Sequence, residues 1–251
     1  MKTNLTLNIV LLAAVLAGPL AQASRRPYYV DQRGTRVEAR SITADEQGNL
    51  RVELDTGATT TIRHNNYRYA FVPKPDEVAA LEQLFNRGDY ARFLENVQAV
   101  FNRYRYLGWG GKLAYWQGEA ELRRDNPQLA RSSFERAERF AISDEQRQEI
   151  KMGTIKALLA LQEDDEAEKL LQEMKTVRED YAAAFSFSAR GQLLARRGRT
   201  DEAILELLKT VLLFEPRDQR VAEIRREARE QLLAILEERG DPAYDRIRQL
   251  Q

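Results

Sequence analysis

The sequence predicts a mostly α-helical protein, an α-solenoid of about five helical hairpins, with a small antiparallel β module ahead of it. Three observations predict this. Amphipathic segments with a helical apolar period follow one another over residues 74–251. Turn signals recur between them at Gly88, Asp125, Asp164, Gly198 and Gly240, which are 37, 39, 34 and 42 residues apart. Ahead of Pro73 the period changes to two, and Thr, Val, Tyr and Gly become dense.

Residues 1–23 read as a secretory signal. Lys2 is a short basic start, and residues 9–20 form an apolar run too short for a comfortable membrane span. Ala21, Gln22 and Ala23 put small residues where a signal peptidase inspects, so cleavage after Ala23 leaves Ser24 as the N-terminus. Arg25 and Arg26 just beyond the cut oppose export, and an uncleaved anchor is the alternative. The expected location is periplasmic or secreted.

Composition removes several classes. With 39 basic and 39 acidic residues there is no argument for nucleic acid or an anionic membrane as partner. The absence of cysteine excludes disulfides, thiolate nucleophiles, cysteine-bound zinc and a lipoprotein cysteine.

Residues 24–73 form the β module. Leu50, Val52 and Leu54 alternate with Arg51, Glu53 and Asp55, the pattern of a half-buried strand between turn signals at 46–48 and 56–58. Residues 37–44 read as one strand whose phase slips near Ser41, with a bulge as the reason. Residues 59–63 and 67–72 follow as strands. Four or five short strands suggest an SH3-like barrel or a meander. Pro73 and Pro75 end it.

From Asp76 the periodicity places helices at about 76–87, 89–106, 111–124, 127–141, 144–162, 164–177, 179–197, 200–214, 218–239 and 241–250. Ser143 with Gln146 makes a capping box, and Thr200 is placed as an N-cap. The helix over 218–239 is heavily charged, with Val221, Ile224, Ala228, Leu232 and Ile235 on its apolar side, which suits a terminal capping position.

One hairpin is written most clearly. Gly191 lies inside a helix, where glycine costs roughly 1 kcal/mol against alanine, so close approach of a second helix is the expected reason. Ala203 and Leu207 follow, then Thr210 and a closing Pro216. An earlier copy has Gly118, Ala130, Phe134 and Ala137, spaced 12, 4 and 3 apart. Two degenerate copies carry Phe93, Val97 and Val100, and Ala167, Leu171 and Met174. These residues resemble the tetratricopeptide repeat, whose hairpins pair small and large apolar positions at this spacing. Thr210 stands where that pattern has alanine, and Pro216 lies one residue late.

The resemblance implies a protein-binding scaffold without catalytic residues, cofactor or metal. It also implies that first helices of successive hairpins line a groove. The candidate groove residues are Lys112, Tyr115, Glu119 and Arg123, then Glu149, Met152 and Lys156, then Phe185, Ser188, Gln192 and Arg196. They mix apolar anchors with charges, as a peptide site needs. The implied partner is another protein of the cell envelope, with this chain as an accessory subunit of a multiprotein envelope machine.

Other constellations have plain structural roles beside any functional one. His64 is the sole histidine and sits in a turn, a poor metal set by itself. Asp164, Asp165 and Glu166 suit a helix N-terminus without a metal. Arg190, Arg196, Arg197 and Arg199 could receive an acidic segment, or be neutralised by Asp201 and Glu202. The aromatic cluster from Tyr104 to Trp116, rich in glycine, carries the competing class: a glycan-binding or glycan-hydrolysing envelope protein. No phosphate loop, serine elbow or paired-histidine zinc motif is present.

Overall fold

The computed structural model describes residues 26–174, 179–216 and 218–249. The signal read over residues 1–23 and its cleavage site lie outside them. The chain is mostly helical, with two small antiparallel three-stranded sheets at the start of the described region. Among the described residues no helix is long and apolar enough to cross a membrane.

β1 (Tyr28–Asp31) pairs with β2 (Arg36–Glu38) and with β6 (Tyr67–Phe71). β3 (Ser41–Ala44), β4 (Leu50–Glu53) and β5 (Thr59–Ile62) form the second sheet. Leu50 and Val52 are fully buried, and Val52 faces Ile42 across the ladder, so the period-two pattern sorts residues as expected. The single strand expected over 37–44 is two strands. Ala39, fully buried, donates its N–H to Pro27 O at 2.9 Å, and the Arg40 N–H donates to Glu53 O at 2.8 Å. The phase slip near Ser41 thus marks where the chain leaves one sheet for the other. The two sheets share a core of Ala39, Ile42, Leu50, Val52, Tyr67, Ala70 and Val72, closed by Leu107 from the helical part.

The helices are α1 (Asp76–Asn86), α2 (Tyr90–Tyr104), α3 (Gly110–Arg123), α4 (Pro127–Arg139), α5 (Asp144–Ala160), α6 (Asp164–Glu173), α7 (Asp180–Arg196), α8 (Thr200–Leu213), α9 (Gln219–Glu238) and α10 (Ala243–Gln249). Their starts follow local chemistry. Ser143 accepts from the Gln146 N–H at 3.2 Å, and Gln146 Oε1 reaches back to the Ile142 N–H at 2.9 Å, one residue earlier than in a standard capping box. Thr200 proves to be the first helical residue of α8. Arg199 is its cap, and Asp201 and Glu202 supply the negative charge that the first turn favours.

The turns between hairpin partners each hold one left-handed residue: Gly88, Asp125, Gln162, Gly198 and Gly240. Each helix packs on the next. In addition α1 packs on α3, α3 on α5, α5 on α7 and α7 on α9. The repeat positions named from the sequence sit in the contacts. Ala130, Phe134, Ala137, Ala203, Leu207 and Thr210 are all fully buried.

Glycine sets how close these helices come. A Cβ on Gly191 would lie 2.7 Å from Leu207 Cγ and 3.3 Å from Ala203 O. Gly191→Leu is therefore expected to overpack α7 against α8 and cost about 1–3 kcal/mol, read by chemical denaturation. A variant melting at or above the parent temperature would show that this register is wrong.

The β module docks through a kinked turn, Arg105–Trp109, between α2 and α3. The Val72 N–H donates to Leu107 O at 3.2 Å, and Trp109 Nε1 donates to Val72 O at 3.0 Å. Gly108 has φ +87°, and a Cβ there would lie 2.8 Å from Phe71 Cδ2. Gly108 thus marks the place where strand and helix backbones meet, while Gly110 and Gly111 lie against Phe140 and Ala141 at the end of α4.

Candidate functional site

Alternate helices bring the α3 and α5 candidates together. Lys112 Nζ donates to Glu149 Oε2 at 3.0 Å, and Lys156 Nζ lies 3.2 Å from Glu119 Oε2. Glu119 is only 7% exposed, so its charge needs that ammonium. Lys112 Nζ also lies 5.3 Å from the centre of the Tyr115 ring, which packs on Phe134 at 5.8 Å. Burial pushes the Tyr115 hydroxyl well above its ordinary pKa, and the Glu119 and Glu149 carboxylates push it further. Tyr115 is thus part of the packing.

The α7 candidates divide. Phe185 is buried and joins Met152 of α5 in one apolar cluster with Tyr181, Leu193 and Val221. Ser188 and Gln192 are half-buried. Arg196 instead donates to Asp164 Oδ1 at 2.8 Å. That pair edges a cleft of about 450 Å³ lined also by Leu159, Ala160 and Gln162.

α9 contributes residues that sequence reasoning missed. Arg123 donates to Glu223 Oε1 at 2.7 Å, tying α3 to a residue one hundred positions later. Arg220 lies 3.7 Å from Glu149 and places its guanidinium 4.1 Å from the centre of the Tyr181 ring. Val221 is buried among Tyr181, Phe185 and Met152. The first half of α9 therefore meets the face that α3, α5 and α7 present. Its polar residues flank the apolar stripe on both sides, and nothing in the local sequence says which flank turns inward.

The Arg123 guanidinium holds the Glu223 carboxyl below the usual carboxylate range, chiefly through the hydrogen bond between them. A depressed carboxyl adds stability above its unfolded pKa and loses it as pH falls through the folded one. Wild type is therefore expected to be more stable than Glu223→Gln above about pH 5, with the gap closing below about pH 4. Both side chains are nearly half exposed, so the gap is small and shrinks with salt. Melting curves across that pH range check it, and a gap that widens in acid would refute the assignment.

The remaining candidates have structural partners. The acidic turn is matched by arginines of the flanking hairpins: Asp165 and Glu168 by Arg197, and Glu163 and Glu166 by Arg131. Arg199 pairs with Glu202 at 2.5 Å, and Arg190 lies 3.5 Å from Leu171 O. The Tyr67 hydroxyl donates to Gly48 O at 2.7 Å, leaving it to accept from His64 Nδ1 at 3.2 Å. The His64 ring also rests on Tyr106 at 5.1 Å. Among the described residues no group of three or more His, Asp or Glu is placed to hold a metal.

The aromatic cluster lies at junctions. Trp109 packs on Phe71 at 6.0 Å, Tyr106 on Phe140 at 5.6 Å, and Trp116, 6% exposed, stacks on Phe85 at 5.9 Å. The Tyr104 hydroxyl donates to Glu77 at 3.0 Å. A sugar platform needs an open ring face; Trp116 is buried, and Tyr104, Tyr106 and Trp109 are half-buried at these junctions. No protein-family model, no curated protein and no solved structure matches this chain.

Proposed function

We propose that this protein is an exported, non-catalytic scaffold of the cell envelope that binds other proteins, as an accessory subunit of a multiprotein machine. Its helical part is read as a tetratricopeptide-like solenoid and its β module as SH3-like. The observation that carries the reading is the packing order. Each helix contacts its successor, while α1, α3, α5, α7 and α9 contact one another in series. Stacked hairpins of this kind expose a long surface relative to their core and serve as binding scaffolds. Fold-level reasoning names a kind of job and no partner.

The inner surface is the proposed binding face, with α9 as a wall of it. Lys112, Glu149, Lys156 and Glu119 form a charged lattice there, and half-buried Ser188 and Gln192 on α7 add uncharged polar groups. Such a lattice can fix the direction of a bound segment.

Affinity capture from an envelope extract, read by mass spectrometry, tests this. Specific co-purification of envelope proteins is expected, from a protein whose measured mass begins at Ser24. Retention on polysaccharide with no protein captured would replace the scaffold with the glycan reading. Recovery of the full-length chain in membranes would replace cleavage with an anchor.

A further inference from the structure

The outer helices differ in what they show to solvent. α4 exposes Gln128, Ser132, Glu135 and Glu138 beside Leu129, and α6 exposes Asp165, Glu166, Lys169 and Gln172. α8 instead exposes Leu205 at 57%, Leu212 at 59% and Leu213 at 66%. Leu205 and Leu212 are seven residues apart and share a helix face, with half-buried Leu208 between them. The buried stripe of α8, namely Ala203, Leu207, Thr210 and Val211, points the other way. The fold's own core therefore makes no use of the exposed leucines. Single exposed leucines are ordinary, but three on one helix mark an interaction surface.

We propose that this leucine face docks a second copy of this chain, with the two α8 helices antiparallel across a two-fold axis. A two-fold interface uses one patch twice, so the patch must complement itself. The charges of α8 meet that condition. Glu202 and Lys209 lie seven residues apart on one flank of the leucines. An antiparallel copy crossing near Glu206 brings each Glu202 beside Lys209 of the second copy. The same crossing sets Leu205 against Leu208 of the second copy and opposes the helix dipoles. A parallel two-fold crossing would put the two Glu202–Lys209 flanks on opposite sides of the interface, so these charges would not meet.

Two further features favour a second copy. The chain carries equal numbers of acidic and basic residues, so copies approach without net repulsion. The existing partner of Glu202 is Arg199, an exposed i,i+3 pair that exchanges at little cost, while Lys209 can reach a second copy without leaving Glu206, its half-buried i,i+3 partner. An anionic lipid surface fits poorly, because Asp201, Glu202 and Glu206 outnumber the single lysine of α8.

Sedimentation equilibrium of the mature chain tests this, from micromolar to hundreds of micromolar. The wild-type mass is expected to rise towards that of a dimer. Leu205→Glu with Leu212→Glu should stay monomeric at unchanged helicity. Glu202→Lys and Lys209→Glu should each weaken the dimer roughly tenfold, and their combination should restore it, because the exchanged charges still meet as opposites.

The chain has no cysteine, so Leu205→Cys offers a clean trap next to the axis. It should form a disulfide dimer on mild oxidation, whereas Leu129→Cys, equally exposed on α4, should not. The trap decides the matter should the double glutamate variant lose helicity. A monomeric wild type at every concentration overturns the proposal. So does a dimer that survives both glutamates, or equal cross-linking from Leu129→Cys. Capture of an envelope protein lost in the glutamate variant of a monomeric chain would assign the face to that protein instead.

Discussion

Truncating Phe134 to alanine is expected to remove about 3–5 kcal/mol of stability, the largest loss from any single side chain proposed here. Phe134 is fully buried, and its ring is held between two helices that carry glycine where they meet it. A Cβ on Gly118 of α3 or on Gly153 of α5 would lie 2.5 Å from ring atom Cε1. Both helices have therefore given up side chains to seat one ring, and its removal leaves a void bounded by backbone that cannot fill it. Gly118→Ala and Gly153→Ala should each destabilise the wild type and be better tolerated beside Phe134→Ala, a coupling that a double-mutant cycle would measure. Additive losses would mean that the ring does not occupy this slot.

The second large effect is expected at Gly108. Its φ of +87° is strained for any residue with a Cβ and worst for a β-branched one. The added atom would also meet Phe71 at 2.8 Å and Ala70 O at 3.1 Å. Gly108→Val combines strain with overpacking, for an expected loss of about 2–5 kcal/mol. The loss falls on the contact between β6 and the α2–α3 turn, where Leu107 completes the β core. Denaturation of the variant should separate an early loss of the β module from the unfolding of the helices. Trp109 fluorescence should report the first, because its ring lies against Phe71. A single transition at the parent midpoint would show that the module does not depend on this junction.

Much of the secondary structure was legible because its causes are local. The helices begin and end within a few residues of where apolar periodicity, prolines and turn residues place them. Leu50 and Val52 are buried and Arg51 is exposed, as strict alternation requires. The candidate face was legible only in part. The Lys112–Glu149 and Lys156–Glu119 pairs join residues chosen from sequence, since α3 packs directly on α5. Arg196 does not join them, because its guanidinium finds Asp164 at the turn before α6.

By itself the sequence determined the order and type of the elements, the β-to-α boundary near Pro73 and two of the glycines at which helices approach closely, Gly118 and Gly191, though not Gly153. These follow from steric and periodic rules that act within a few residues. The tertiary structure alone decided which residues meet across the chain. It divided residues 37–44 between two sheets, because Arg40 finds its acceptor on Glu53. It turned Arg220 and Glu223 of α9 onto Glu149 and Arg123. It left the leucines of α8 outside, because Ala203, Leu207 and Val211 already fill the contact with α7 and α9. Each outcome is the sum of many small packing choices between residues far apart in the chain. No window of sequence contains that sum.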